Sequence, residues 1–418
     1  MAKINKRHIQ ILKHGVIYFA AFLTLFLIGY RNFTISEKEY IESLSAKSII
    51  NTEVVAPDVL YIKTLDLIKK NYFDKTLNGQ SISEWKNRYR AKIKTEDDTH
   101  LALNTMLASL DDPYSRFLSK NEFRVQTENI DSKAKGIGIN IASYSGKIYI
   151  ANVLKGTPAD FAGLKRGDLI LKIDDFNIKG KSLFQAIQHL KGPVGTSLEI
   201  TVLRGDKELT RKIKREEINI NNVEYKKLDK NIGYIRLSSF ISKDTPKHLI
   251  GALDELKDTE GLILDIRGNK GGLFQNAIFS ANLFLSNGFI VHVLDNKGNL
   301  NSYSADKTAC VYFEPLVILA DNESASASEI LLGALKDNKR AKIVGTKTFG
   351  KGLVQKVYPL PNETGINLTV GRYITPSGKS INKKGIKPDF EVYLTKEDLE
   401  QGIDSQLIFA SNLLQNGI

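Results

Sequence analysis

At 418 residues the chain is too long for one ordinary core, so two or three domains are expected. Charged residues at 25% and hydrophobic residues at 42% are values of a globular protein, and the single cysteine, Cys310, excludes a disulfide-stapled fold and cysteine-rich zinc sites. The formal charge of +12 comes with no arginine-rich tract and no basic-aromatic interleaving, so a nucleic-acid groove is excluded and a basic surface is the better reading.

Five of those charges, Lys3, Lys6, Arg7, Lys13 and Arg31, lie before residue 32 with no acid among them. Between them Gly15 to Tyr30 is uncharged and apolar. Leu27-Ile28-Gly29-Tyr30 supplies small residues poorly for a cleavage site, so residues 1–32 read as an uncleaved signal anchor rather than a cleaved signal peptide. Either way the basic flank stays inside and the bulk of the chain is exported, to a periplasmic or lumenal side. Residues 33–56 are polar and read as a stalk. Three helical patterns follow, through Leu60 to Ile68, Trp85 to Ile93 and Leu101 to Leu110, and the last stops at Asp111-Asp112-Pro113. Together 33–132 are expected to form a helical N-terminal domain.

Residues 133–218 change character. Ile137, Ile139 and Ile141 alternate, and further strands are expected at Leu169 to Ile173, Leu198 to Leu203 and Leu209 to Ile213, with helices after Gly156-Thr157-Pro158 and over Ser182 to Leu190. From Ile232 onward apolar strands alternate with helices, an α/β pattern of repeated β-α-β units over 219–418 with a helix at the C-terminal end.

The run Asn322-Glu323-Ser324-Ala325-Ser326-Ala327-Ser328-Glu329-Ile330 sets a serine at a helix start, where unpaired N–H groups suit an oxyanion. Ser326-x-x-Glu329 also has the form of a capping box, and Ser324 and Ser328 are equally candidates for a nucleophile. Downstream, Phe349-Gly350-Lys351-Gly352-Leu353-Val354-Gln355 holds a lysine between glycines. None of the six histidines lies near, so Lys351 is the natural base for an attacking serine. Its pKa must fall from about 10.4 to about 7–8, which burial can achieve. In a straight strand Lys351 and Gln355 would stand roughly 13 Å apart, so Gln355 can hold the amine only if the chain bends near Gly352. The glycine-rich loop Arg267-Gly268-Asn269-Lys270-Gly271-Gly272 follows a strand and fails the patterns of a phosphate loop and a dinucleotide fingerprint, but its amides could complete an oxyanion hole. Neither a metal nor a cofactor is expected.

Gly136-Ile137-Gly138-Ile139 resembles the carboxylate loop of PDZ domains, and Gly156-Thr157-Pro158-Ala159 and Ala162-Gly163-Leu164-Lys165-Arg166-Gly167-Asp168 are similarly PDZ-like. With Asp112-Pro113-Tyr114-Ser115-Arg116-Phe117, the serine run, Phe-Gly-Lys-Gly-x-Val-Gln and Thr375-Pro376-Ser377-Gly378, the order over residues 57–410 resembles the C-terminal processing peptidases, or tail-specific proteases. More loosely, the Trp85 to Tyr89 and Glu96 to Tyr114 segments resemble the photosynthetic branch of that family. The resemblance implies an α/β multi-domain protein: helical N-terminal region, PDZ domain and a crotonase/Clp-protease-like α/β catalytic core. It implies Ser326 as nucleophile, Lys351 as base 25 residues on, Gln355 as its orienter, and an oxyanion hole from Ala327 and either Gly271 or Gly272. Asn269-Lys270-Gly271 departs from the family's Asn-Pro-Gly and leaves that choice of glycine open. Gly136, Ile137, Gly138 and Ile139 would bind the C-terminus of protein substrates with free apolar tails. The membrane through the anchor, and a regulatory adaptor, complete the expected partners. The rival readings are a noncatalytic membrane-tethered PDZ adaptor and a crotonase-like acyl-CoA enzyme.

Overall fold

The computed structural model describes residues 51–128, 133–219 and 222–417, so the expected anchor at 15–30 lies outside the described residues. Among those described, no helix is long and apolar enough to cross a membrane. They fall into two compact units, residues 131–221 being one and the remainder the other.

The larger unit begins with α1 (Pro57–Asn71), α2 (Ile82–Tyr89) and α3 (Glu96–Ala108). Proline at the first turn starts α1 where its missing N–H costs nothing. Thr95 and Asp98 form a reciprocal cap on α3. A turn at Asp111–Ser115 leads into β1 (Arg116–Leu118) and α4 (Lys120–Glu128).

The smaller unit carries β2 (Lys133–Gly136), β3 (Ile139–Tyr144), β4 (Lys147–Val153), α5 (Pro158–Phe161), β5 (Leu169–Ile173), β6 (Phe176–Asn177), α6 (Leu183–Leu190), β7 (Ser197–Arg204), β8 (Lys207–Lys214) and β9 (Glu216–Asn219). One sheet has the order β3-β4-β5-β7-β8 with β6 beside β5, and β2 pairs β9. The strands turn Ile148, Ile150, Ile170, Ile173, Ile200 and Val202 inward against Ala186 and Leu190 of α6. Each such buried side chain contributes about 1.5–3 kcal/mol. Among the described residues β3 is an edge strand, pairing only with β4.

The chain then returns to the larger unit with β10 (Val223–Leu228), β11 (Ile232–Leu237), α7 (Thr245–Glu255), β12 (Gly261–Asp265), α8 (Phe274–Asn282), β13 (Phe289–Asp295), β14 (Leu300–Ser304), β15 (Leu316–Ala320), α9 (Ala327–Asp337), β16 (Lys342–Gly345), β17 (Leu353–Leu360), β18 (Thr364–Ile374), β19 (Phe390–Glu391), α10 (Lys396–Gln401) and α11 (Ser405–Gln415). The β-α-β expectation is met by a sheet of order β10-β11-β12-β15-β16-β19, parallel from β11 onward. β12 and β15 are buried at every position, as a parallel strand covered on both faces requires.

A second sheet, β1-β18-β13-β14 with β17 on β18, lies outside the β-α-β pattern. Leu353–Leu360 is partly buried along nearly its whole length, so no alternation marks it as a strand. This sheet also supplies Leu360, Ile366 and Leu368 to the core formed by α1, α2 and α3.

Candidate active site

Ser326 sits between β15 and α9, on the turn that the apolar strand and the following helix both fix. Its backbone has φ 57° and ψ −116°, a region that a residue with a Cβ rarely adopts. Such a conformation costs on the order of 1–3 kcal/mol and persists only when the surroundings over-determine it.

Here they do. Asn269 of the glycine-rich loop accepts on its carbonyl from the Ala325 amide at 3.0 Å and from Ser328 Oγ at 2.8 Å. Its side chain donates to the Leu237 carbonyl at 2.9 Å. Ser324 Oγ donates to the Ile266 carbonyl at 2.9 Å, and Asp321 accepts from the Gly268 amide at 2.9 Å. Serine turn and glycine-rich loop are thus one hydrogen-bonded piece. The loop's base is tied in turn by buried Asp265, which pairs with Arg236 at 2.9 Å and Arg267 at 2.7 Å, while Arg267 reaches Asp404 beside α11 at 2.7 Å.

These bonds separate the three candidate serines. Ser324 and Ser328 are fully buried and committed to backbone carbonyls. Ser326 is partly exposed and lines a cleft of about 750 Å³ together with Lys351, Gln355, Gly271 and Gly272. The rest of the cleft is largely apolar, including Ile241, Phe274, Val293, Tyr303, Val354 and Tyr373.

The capping box is half of a larger arrangement. Glu329, wholly buried, accepts from the Ser326 amide at 2.9 Å, the Lys351 amide at 2.8 Å, the Gly350 amide at 2.7 Å and Thr348 Oγ1 at 2.6 Å. Burial pushes its carboxyl pKa up, and the four donors oppose that. One carboxylate therefore fixes the backbones of Ser326 and Lys351 relative to each other. Sequence reading saw only the i to i+3 signature of a helix cap; nothing in spacing could announce the bonds to residues more than 18 positions away.

Lys351 is half-buried, and burial holds its ammonium below the ordinary lysine range, opposed by Asp112. Gly352 is required because a Cβ there would lie 2.5 Å from the Asn382 amide nitrogen. Lys351 Nζ stands 4.6 Å above the ring of Tyr114. No hydrogen bond joins it to Ser326 or to Gln355 among the described residues. Gln355 instead donates to Thr369 Oγ1 at 3.4 Å. The bend needed to bring residues 351 and 355 to one cleft is present: Lys351 precedes β17, and the strand's register slips between Val354 and Gln355.

The two loop glycines differ. The Gly271 amide donates to Asn269 Oδ1 at 2.9 Å, and a Cβ at Gly271 would lie 2.7 Å from the Ala325 carbonyl. The amides of exposed Gly272 and of Ala327, the first residue of α9, have no partner among the described residues.

In the smaller unit, Gly136 ends β2, Ile137 and Gly138 form the connection, and Ile139 opens β3. Gly138 has φ 89°, and a Cβ there would lie 2.2 Å from Thr157 Oγ1, which explains its glycine. The Ile137 and Gly138 carbonyls accept from the Ala159 and Leu154 amides, whereas their own amides have no partner among the described residues. Partly buried Ile139 and Ile141 of β3 and Leu183 of α6 pack on this unit's core, and Ile187 of α6 is also partly buried.

The profile of peptidase family S41 matches residues 231–392, and that of the PDZ domain residues 135–214. A carboxyl-terminal-processing protease of Synechocystis sp. is 35% identical over 373 residues, covering 86% of this chain and 87% of its own. The chloroplastic carboxyl-terminal-processing peptidase 2 of Arabidopsis thaliana is 32% identical, covering 83% and 72%. Among solved structures, a photosystem II D1 C-terminal processing protease superposes with a TM-score of 0.61 at 33% identity, covering 83% of this chain and 96% of that one. The chain belongs to the S41 family of C-terminal-processing serine proteases and carries a PDZ domain.

Proposed function

We propose that this protein is an exported endopeptidase that selects proteins by their free C-terminal tails and cleaves them through Ser326 and Lys351. The observation that carries the reading is the strained, cleft-lining Ser326, tied through one buried carboxylate to a lysine whose ammonium is destabilised by burial. Neutral Lys351 Nζ takes the proton of Ser326 Oγ as the oxygen attacks the scissile carbonyl. The oxyanion is held by the amides of Ala327 and Gly272, the glycine whose N–H is free. The tetrahedral intermediate expels the amine, which takes the proton from the Lys351 ammonium, and leaves an ester on Ser326. Water, deprotonated by Lys351, attacks that ester; the second tetrahedral intermediate breaks its bond to Ser326 Oγ, which takes the proton back from the Lys351 ammonium as the carboxylic acid leaves. Gln355 orients the amine when substrate displaces it toward Ser326.

The proposed division has an anchor over 1–32, a helical region over 33–132 that shares a core with the catalytic part at 219–418, and a peptide-binding domain at 133–218. Gly136, Ile137, Gly138 and Ile139 bind the substrate carboxylate through their amides, and the tail extends the sheet along the free edge of β3. The half-buried Ile139, Ile141 and Ile187 favour an apolar last residue.

The test compares one reporter protein bearing a free apolar tail, the same tail amidated, and an acidic tail. Amidation removes the charge the loop binds, so KM rises about tenfold or more for both altered tails. Equal kcat/KM for all three rejects tail selection. No cleavage of any of them favours the membrane-tethered adaptor instead.

A further inference from the structure

The turn Asp112-Pro113-Tyr114-Ser115 precedes β1 and touches Lys351, a residue of the cleft wall. Its side chains are engaged in one direction. Buried Asp112 accepts from the Tyr114 amide at 3.0 Å through Oδ1 and from Ser115 Oγ at 2.6 Å through Oδ2. Tyr72, just past α1, stands near Asp112, and burial together with that carboxylate's charge pushes its phenol pKa up. Ser115 Oγ accepts from the Thr369 amide at 3.0 Å, and Thr369 Oγ1 accepts from Gln355 Nε2 at 3.4 Å. At the other end, the Tyr114 ring lies under Lys351 Nζ at 4.6 Å. A helix-end turn needs only the first of these bonds. The bonds through Thr369 and the ring contact connect the turn to Gln355 and Lys351, two of the side chains that line the cleft.

We infer that this turn is a positioning element for the lysine base: the Tyr114 ring seats the Lys351 ammonium, Asp112 supplies the opposing charge, and Ser115 holds Gln355 through Thr369. The inference rests on Lys351 being the base. A cation over an aromatic face is stabilised by the ring quadrupole, and a carboxylate nearby acts in the same sense. Both oppose the burial that drives the proton off. The turn therefore sets the proton affinity of Lys351 as well as its place. Other charged groups near Lys351 are Glu329 of α9, committed to four donors, Lys383, whose amide donates to the Gly350 carbonyl and whose ammonium pairs with Asp111, and Lys270 and Lys356 along the cleft. Tyr114 itself stays a neutral phenol, because burial, Asp112 and Glu329 push its pKa up.

The experiment measures kcat/KM against pH for the full-length parent, Asp112→Asn, Tyr114→Leu and Tyr114→Phe on one tailed reporter. The parent loses activity on the acid side as Lys351 gains its proton. Asp112→Asn removes the charge favouring the ammonium, so that limb moves about one pH unit lower. Tyr114→Leu moves it about half a unit lower, and Tyr114→Phe, which keeps the ring face, leaves it in place. KM changes little. A common acid limb in all four proteins overturns the inference while leaving the lysine base standing. A parent with no acid limb down to about pH 5 removes the lysine base and the inference with it. Should the variants fail to fold, the parent alone decides: its Lys351 Hε resonance, assigned by its loss in Lys351→Arg, is shifted upfield by the Tyr114 ring. A resonance at the position of a free lysine overturns the seat.

Discussion

Ser326→Ala and Lys351→Ala each reduce turnover to background, a loss of about 10⁴-fold or more, and the double variant is little worse than either. Nucleophile and base act as a unit, so removing one removes the use of the other. The expected melting temperature of both variants stays near the parent's, since Ser326 is partly exposed and Lys351 makes no side-chain hydrogen bond among the described residues. Gln355→Ala lowers kcat by less, because it orients rather than reacts. The check is single-turnover cleavage of a tailed reporter with stability measured alongside. Substantial activity in Ser326→Ala would move the nucleophile to Ser324 or Ser328, although both are buried and bonded to carbonyls.

The second large effect falls on a residue that never touches substrate. Glu329→Leu strips the acceptor from three backbone amides, that of Gly350 buried and those of Ser326 and Lys351 partly so, and from Thr348. Each unpaired donor costs about 1–3 kcal/mol, and partial relaxation leaves a destabilisation of at least about 3 kcal/mol. Release of the Ser326 and Lys351 backbones also lowers kcat, a misplacement of about 1 Å being worth about 100-fold. Glu329→Gln is intermediate, since one terminus of its amide now faces donors as a donor. Thermal unfolding and kcat for both variants make the check; a Glu329→Leu protein with the parent's values contradicts the role.

Much of this was legible in the chain, and the exceptions have physical causes. The parallel sheet announced itself through the near-continuous apolar runs of β12 and β15, and α9 because Ile330, Leu331, Ala334 and Leu335 repeat at helical spacing. The smaller unit was readable from alternation and turn glycines. β17 was not, because a strand half-covered on both faces has no polar side to alternate with. The apolar faces of α1 to α3 were clear, but not that Ile366 and Leu368, far down the chain, complete their core. Three serines in alternate positions were equivalent as letters. They diverge only through Asn269 and Ile266, whose carbonyls occupy two of them. The choice between Gly271 and Gly272 is of the same kind, since it turns on where the Asn269 side chain sends its oxygen.

Ser326 as nucleophile is tested most directly by where the acyl group goes. The full-length protein is acid-quenched during turnover of an ester analogue ending in a free apolar tail, then weighed intact and mapped by peptide. The predicted result is a mass increase equal to the acyl portion, located on Ser326 and absent from Ser326→Ala. An acyl group on Ser324, Ser328 or any other residue contradicts it.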